Sequence, residues 1–278
     1  MKIGFIGAGK VGYSLGKYFA EHNVCVSGYY SQNQESSKDA AKFTASKSFE
    51  TMEQIIQECD TLFLTVPDGA IADVYASVAA FDIRGKIICH CSGSLSSEVF
   101  QGIKEKGAYG YSLHPIYAVS SKYESYREFS KVYFTLEGAE ERRNVLQSLL
   151  EELGNPVEII AKEDKARYHL AAVFASNLVT GLYRQATELM EECGLSRSFS
   201  RQALLPLFLG NANALALQGM AASLTGPIER ADEITIQKHL EVMDEDAKTL
   251  YQQLSRKLVE ISKEKNPSRD YKKIEELL

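Results

Sequence analysis

From Lys2 to about Ile160 the chain alternates short β-rich apolar runs with helical segments, and from Lys162 onward the alternation stops. A strand–helix–strand rhythm implies parallel strands, because each helix returns the chain across the sheet and covers one of its faces. The apolar runs predict strands over 3–6, 24–30, 61–66, 86–91, 109–113, 132–136 and 157–160, with helices filling most of the gaps. Later segments read with a 3.6-residue period over 164–193, 201–220 and 244–263. The expected fold is therefore α/β, a doubly wound parallel sheet over 1–160, followed by an all-α domain over 161–278.

The first strand runs directly into Gly7-Ala8-Gly9-Lys10-Val11-Gly12, and a helix carrying Leu15, Tyr18 and Phe19 follows. In that setting Gly7 permits a tight turn, Gly9 lets backbone approach a pyrophosphate and Gly12 lets helix pack on strand. The free N–H groups at the helix start attract the anion. An Asp or Glu about 20 residues further on would bind the ribose hydroxyls of NAD. The second strand ends instead in Ser31, Gln32 and Asn33, neutral donors that admit a 2′-phosphate a carboxylate would repel. NADP is expected in preference to NAD.

Composition narrows the partners. The 278 residues are 45% hydrophobic and 24% charged, with a net charge of −6 and no basic stripe, which argues against nucleic acid and anionic membranes. A small-molecule substrate is the default. No apolar run approaches the roughly 20 residues that span a bilayer. Met1 is followed within two residues by the first strand, leaving no room for a secretion signal, so a cytoplasmic protein is expected. The five cysteines include no CxxC pair, and on a strand Cys89 and Cys91 point away from His90, so no metal is expected. Residues 203–217 are apolar on almost every face, which suggests a homodimer formed through the helical domain, a central core helix being the alternative. Residues 262–278, rich in Lys and Glu, read as a solvated amphipathic tail.

With Val66-Pro67-Asp68 after the next core strand, these features resemble the superfamily of pyrroline-5-carboxylate reductase, ketopantoate reductase and the 6-phosphogluconate and β-hydroxyacid dehydrogenases. His90-Cys91-Ser92-Gly93-Ser94, Ser112-Leu113-His114-Pro115, Tyr168-His169, Ala175-Ser176-Asn177 and Thr225 to Asp232 resemble an uncharacterised branch. That branch pairs a Rossmann-like NADP-binding domain with a helical domain of unknown function. It usually has Arg-Gly-Asp where this chain has Arg230-Ala231-Asp232, and Gln32 stands where NADP-binding relatives often carry Arg.

Ligands of open α/β sheets sit beyond the carboxyl ends of the strands, so Val66, Pro67 and Asp68, then Ser92 and Gly93, should border the cofactor. The Ser-Gly-Ser is equally readable as an ordinary strand-to-helix turn whose serine caps the next helix. Hydride transfer also needs a proton donor near the heteroatom that gains charge. Lys165, His169, Ser176 and Asn177 fall near one face of a single predicted helix. In the dehydrogenase relatives this helix bears a catalytic lysine and then an asparagine, and the resemblance puts His169 in the lysine's place and Asn177 in the asparagine's. An alternative register makes Lys165 the acid, and His169 is also readable as a buried hydrogen-bonding residue. His114, before Pro115 at a strand end, either faces substrate or braces its loop. These features imply an NADP(H)-dependent oxidoreductase for a small, carboxylate-bearing oxo, hydroxy or imino compound reacting between the domains. The alternative is a dinucleotide-binding sensor or scaffold without turnover.

Overall fold

The computed structural model describes residues 1–278, which divide into two compact units, Met1–Ser176 and Asn177–Leu278. In the first unit β1 (Ile3–Ile6), α1 (Lys10–Glu21), β2 (Val26–Tyr30), α2 (Gln34–Thr44), β3 (Lys47–Ser48), α3 (Met52–Glu58), β4 (Thr61–Leu64), α4 (Ile71–Val78), β5 (Ile87–His90) and β6 (Tyr109–Pro115) follow one another. They are completed by β7 (Phe134–Gly138), α5 (Arg143–Glu152), β8 (Val157–Ile159) and α6 (Lys165–Ala175). The eight strands form one Rossmann-like sheet in the order β3-β2-β1-β4-β5-β6-β7-β8.

Strand alternation sorts the side chains onto two faces. Phe5, Phe63, Cys89, Tyr111 and Leu136 enter one core with Tyr13, Leu15 and Phe19 of α1 and Leu146 and Leu150 of α5. Ile6, Leu62, Leu64 and Ile88 enter the other with Ile55 and Ile56 of α3 and Tyr75 and Val78 of α4. Helices thus cover both faces, as the doubly wound pattern requires. One pairing departs from the expected parallel sheet: β7 runs antiparallel to β6. The connection from 116 to 133 holds only a short 3-10 turn, Ser125–Lys131, and no crossover helix returns the chain to the starting edge.

In parallel register, Leu64 of β4 lies beside His90 of β5, which lies beside Ser112 of β6. The loops at the ends of these strands therefore emerge along one edge.

The second unit contains α7 (Asn177–Glu192), α8 (Arg197–Gln218), α9 (Met220–Ser223), α10 (Pro227–Arg230), α11 (Glu233–Val242), α12 (Glu245–Lys265) and α13 (Lys272–Leu277). Its core joins Ile228, Ile236 and Val259 to Tyr271, Ile274 and Leu278. The C-terminal segment is therefore core-forming, which corrects its reading as a solvated tail: an apolar stripe at i, i+3 and i+7 underlies the Lys and Glu. Ala231 is left-handed, φ 56°, between α10 and the Asp232 cap of α11. No helix is long and apolar enough to cross a membrane.

A buried amide ties the first unit together. Asn155, 2% exposed, donates to the carbonyls of Phe129 (2.7 Å) and Val132 (2.9 Å) and accepts from the Tyr18 hydroxyl (2.7 Å). Asn155→Ala strands these partners without water and should cost roughly 2 to 4 kcal/mol. Urea denaturation checks this, with an unchanged midpoint as the contrary outcome.

Candidate functional site

Two pieces of the strand-end edge carry polar groups. The first is the glycine turn. Gly7 leaves β1 at φ 99°, donates its N–H to the Tyr30 carbonyl (2.8 Å) and accepts the Thr65 hydroxyl (2.8 Å). A Cβ on Gly12 would come within 2.5 Å of Thr65 Oγ1, so α1 can meet β4 only through glycine there. Gly9 is the N-cap of α1, with no side-chain cap and no acidic residue in the first turn. The N–H groups of Lys10, Val11 and Gly12 thus retain their capacity for an anion. Ala8 is buried and Lys10 exposed. A Cβ on Gly9 would meet only the Thr65 carbonyl, at 3.4 Å. These features fit a pyrophosphate.

Ser31, Gln32 and Asn33 follow β2 beside this turn, because Tyr30 is bonded to Gly7. Asn33 caps α2, its Oδ1 accepting from the N–H groups of Glu35 (3.0 Å) and Ser36 (3.3 Å). Only its amide NH2 is left to meet a ligand.

The second piece lies beyond β4, β5 and β6. Ser92 Oγ donates to Asp68 Oδ2 (2.6 Å) and accepts from the N–H groups of Ser94 (3.2 Å) and Leu95 (3.1 Å). The serine side chain therefore performs the turn-capping role, with Asp68 as its acceptor. His90, fully buried, accepts the Ser92 N–H at Nδ1 (3.2 Å) and donates from Nε2 to the Ser96 carbonyl (3.2 Å), which fixes its tautomer. Lys165, at the start of α6, donates to the Ser92 carbonyl (3.1 Å) and to Ser112 Oγ (2.7 Å). His114 Nδ1 lies 2.7 Å from the Tyr168 hydroxyl.

Gly93 is where the imidazoles meet. A Cβ there would lie 2.6 Å from His169 Nδ1 and 2.9 Å from His114 Nε2. The two rings stand edge to face, 6.3 Å apart. His169 Nδ1 is buried and has no hydrogen-bond partner. Burial pushes His90 and His114 down to about 4, Lys165 adding its charge in both cases. Burial likewise brings Lys165 down to about 8, opposed by Glu137, Cys91 and Asp68.

The structure thus brings Asp68, Ser92, Gly93, His114, Lys165 and His169 together within the first unit and sets the glycine turn at the end of the neighbouring strand. Asn177 is treated differently. The predicted continuous helix is broken: α6 stops at Ser176, φ −132° and ψ −81°, whose hydroxyl bonds back to Ala172 O (2.6 Å). Asn177 opens α7 in the second unit, so the shared-face argument does not extend to it. No sequence pattern assigned a role to His90, Ser112, Tyr168 or Glu137. The last accepts the Ser97 N–H (2.6 Å) and hydroxyl (2.8 Å). A lone carboxylate in the apolar run of β7 was the available signal.

A mostly parallel sheet, a glycine turn and converging strand-end loops define a Rossmann-like α/β unit. Residues 1–115 match the Rossmann-like domain, and residues 132–258 match a domain of unknown function, DUF2520. The two matches follow one another along the chain, in the pairing that its motifs resemble. No curated protein matches it in sequence. Among solved structures, a Thermotoga maritima protein is similar at 25% identity and TM-score 0.75, over 94% of this chain and 98% of its own. A Bacteroides fragilis protein, provisionally described as an NADP oxidoreductase, is similar at 24% identity and TM-score 0.70, over 93% and 98%. Plasmodium falciparum pyrroline carboxylate reductase with NADP bound shares the fold at 15% identity and TM-score 0.62, over 95% and 96%.

The depressed histidines make stability acid-sensitive. An unfolded histidine takes up its proton below about pH 6.5, whereas His90 and His114 in the fold do so only near 4. Their contribution is complete above about pH 6.5 and drains as the pH falls toward 4, at up to about 1.4 kcal/mol per pH unit for each. Asparagine at position 90 retains an acceptor for the Ser92 N–H but cannot titrate. The pH dependence of the urea midpoint should therefore flatten in His90→Asn, and a slope equal to that of the unsubstituted protein would contradict the assignment.

Proposed function

We propose that this chain is an NADP(H)-dependent oxidoreductase acting by hydride transfer on a small oxo, hydroxy or imino compound that bears a carboxylate. The observation that carries the reading is the unpartnered, buried Nδ1 of His169 beside Gly93, on the strand-end edge that also bears the glycine turn. A buried imidazole nitrogen without a partner costs about 1 to 3 kcal/mol, which a site tolerates where the group has a task.

Gly7, Ala8, Gly9, Lys10, Val11 and Gly12 would hold the pyrophosphate, and Ser31, Gln32 and Asn33 the ribose with its 2′-phosphate. Val66, Pro67, Asp68, Ser92 and Gly93 would border the nicotinamide, which supplies or accepts the hydride when bound. His169 is the proton donor in this reading. Lys165 is not, because both of its protein hydrogen bonds hold the loop after β5 and the strand β6 in place. Asn177 enters as the substrate-orienting residue by resemblance alone. The structural similarity to the reductase with bound NADP supports the cofactor class.

Assembly as a homodimer through α8 belongs to the same proposal. Its support is the apolar surface of that helix, where Leu207 and Leu217 are 70% and 85% exposed. Light scattering of the purified protein reads the mass directly, and a monomer at all concentrations overturns this part.

Fluorescence titration tests the cofactor. NADPH should bind at least tenfold more tightly than NADH, and the reverse order removes the NADP assignment. A Cβ at Gly9 meets only the Thr65 carbonyl, at ordinary contact distance, so Gly9→Val should leave the protein folded and weaken both nucleotides by tenfold or more. Against a substrate found by metabolite screening, His169→Ala should cut turnover by roughly 10² to 10⁴ with NADPH affinity nearly intact. A larger loss in Lys165→Ala than in His169→Ala would restore the other register. Binding of NADPH with no turnover of any metabolite would favour a sensor.

A further inference from the structure

The Tyr168–His114 pair has no part in the cofactor-binding argument, yet it decides what the site can offer a substrate. Within the first unit, the Tyr168 hydroxyl lies 2.7 Å from His114 Nδ1, with the rings edge to face at 88°. Burial raises the Tyr168 phenol above its ordinary value, so the hydroxyl keeps its proton. His114 is held neutral by burial and by Lys165 and carries a single proton. Between a phenol and a neutral imidazole, the phenol is the better donor and the bare ring nitrogen the better acceptor. The hydrogen bond therefore runs from Tyr168 to Nδ1 and leaves the ring proton on Nε2. That nitrogen is the one beside Gly93, 2.9 Å from the point a Cβ would occupy, with His169 Nδ1 2.6 Å from the same point.

We infer that Tyr168 is a positioning residue that locks His114 in its Nε2–H tautomer, so that His114 presents a neutral donor suited to a carbonyl or alcohol oxygen and mismatched to a protonated imine. The inference rests on the oxidoreductase reading and narrows its substrate class to an oxo/hydroxy pair. An oxygen carries lone pairs for the Nε2–H and gains charge that the donor stabilises. A protonated imine presents its own N–H, and two donors would face each other.

The groups that act on His114 are Lys165, His169, Asp68 and His90, all on the elements that line this edge. The hydrogen-bond partner of Nδ1 is the Tyr168 hydroxyl, so the tautomer should follow Tyr168.

Nitrogen-15 correlation spectra of the histidine rings test this without substrate or turnover. At neutral pH His114 should show the pattern of a single Nε2–H tautomer, and Tyr168→Phe should convert it to the averaged pattern of mixed tautomers. The His90 pattern, set by Ser92 and Ser96, should stay unchanged and reports that the fold is intact. An Nδ1–H or doubly protonated His114 in the unsubstituted protein, or a pure Nε2–H pattern surviving in Tyr168→Phe, overturns the positioning role.

Substrate class is read on the same resonance in the presence of NADP+. Oxamate, a carbonyl compound that cannot be reduced here, should shift the His114 Nε2 signal, whereas alanine, with a protonated amine, should not. A signal unmoved by oxamate, or moved by alanine in its place, overturns the oxo assignment. Failure of the NADPH titration would count against the oxidoreductase reading itself, and the tautomer measurement remains a separate result.

Discussion

Lys165 is 1% exposed, and an ammonium taken out of water costs several kcal/mol unless its surroundings replace the lost hydration. Here the replacement comes from the Ser92 carbonyl and the Ser112 hydroxyl, which are themselves joined at 3.0 Å. One cation thereby fastens α6 to the ends of β5 and β6 at once. Remove the charge and three elements lose their common anchor, because Ser92 also organises the turn after β5 through Asp68, Ser94 and Leu95. The lysine's depressed value near 8 is the electrostatic mark of this position. It still leaves the group mainly charged at neutral pH, as an anchor of carbonyl and hydroxyl oxygens must be.

The anchor fixes the approach of α6, and that approach explains Gly93. With Lys165 held, Tyr168 and His169 one turn later face the loop and bring two imidazoles onto the Gly93 backbone. Any side chain at position 93 would push the rings apart. His169 Nδ1, set against that backbone, is a buried polar atom without a hydrogen-bond partner. Neutral histidines beside a buried cation form a consistent set: the ammonium and the low-polarity surroundings both oppose a second positive charge on His90 or His114.

The fold was legible where the signal is local. Strands β1, β4 and β5 are short runs buried on both faces, and the glycine turn is a contiguous motif at a strand–helix junction. The two-residue β3 carries too little pattern to be seen, and the direction of β7 depends on a 116–133 connection whose residues have no regular period. The break at Ser176 was hidden because apolar residues continue on either side of it. In the C-terminal segment, charge density masked the stripe of Tyr271, Ile274 and Leu278. At the site, residue types were readable but roles were not. Whether Lys165 or His169 meets the reacting atoms depends on how α6 is rotated against the sheet, a tertiary fact. Ala231 illustrates the reverse case: a left-handed residue between α10 and α11 suits glycine, and alanine bears roughly 1 kcal/mol there, so the glycine usual at this place in the branch has a backbone cause.

On the proposed reading, the strength of NADP selection follows from the start of α2. Asn33 has already committed its Oδ1 to the N–H groups of Glu35 and Ser36, so the helix end offers a 2′-phosphate fewer donors than an uncapped terminus would. Glu35 adds a negative charge in that first turn. Against these stand the remaining NH2 of Asn33 and the hydroxyl of Ser31, and the helix terminus itself contributes about 0.3 to 1 kcal/mol to an anion. No arginine stands at position 32 to grip the phosphate in two directions. Selection here rests chiefly on the missing carboxylate at the end of β2, which would have favoured the ribose hydroxyls of NAD and repelled the phosphate. A preference built on such an omission is smaller than one built on a bidentate cation, and introducing Arg at position 32 is the change that would enlarge it.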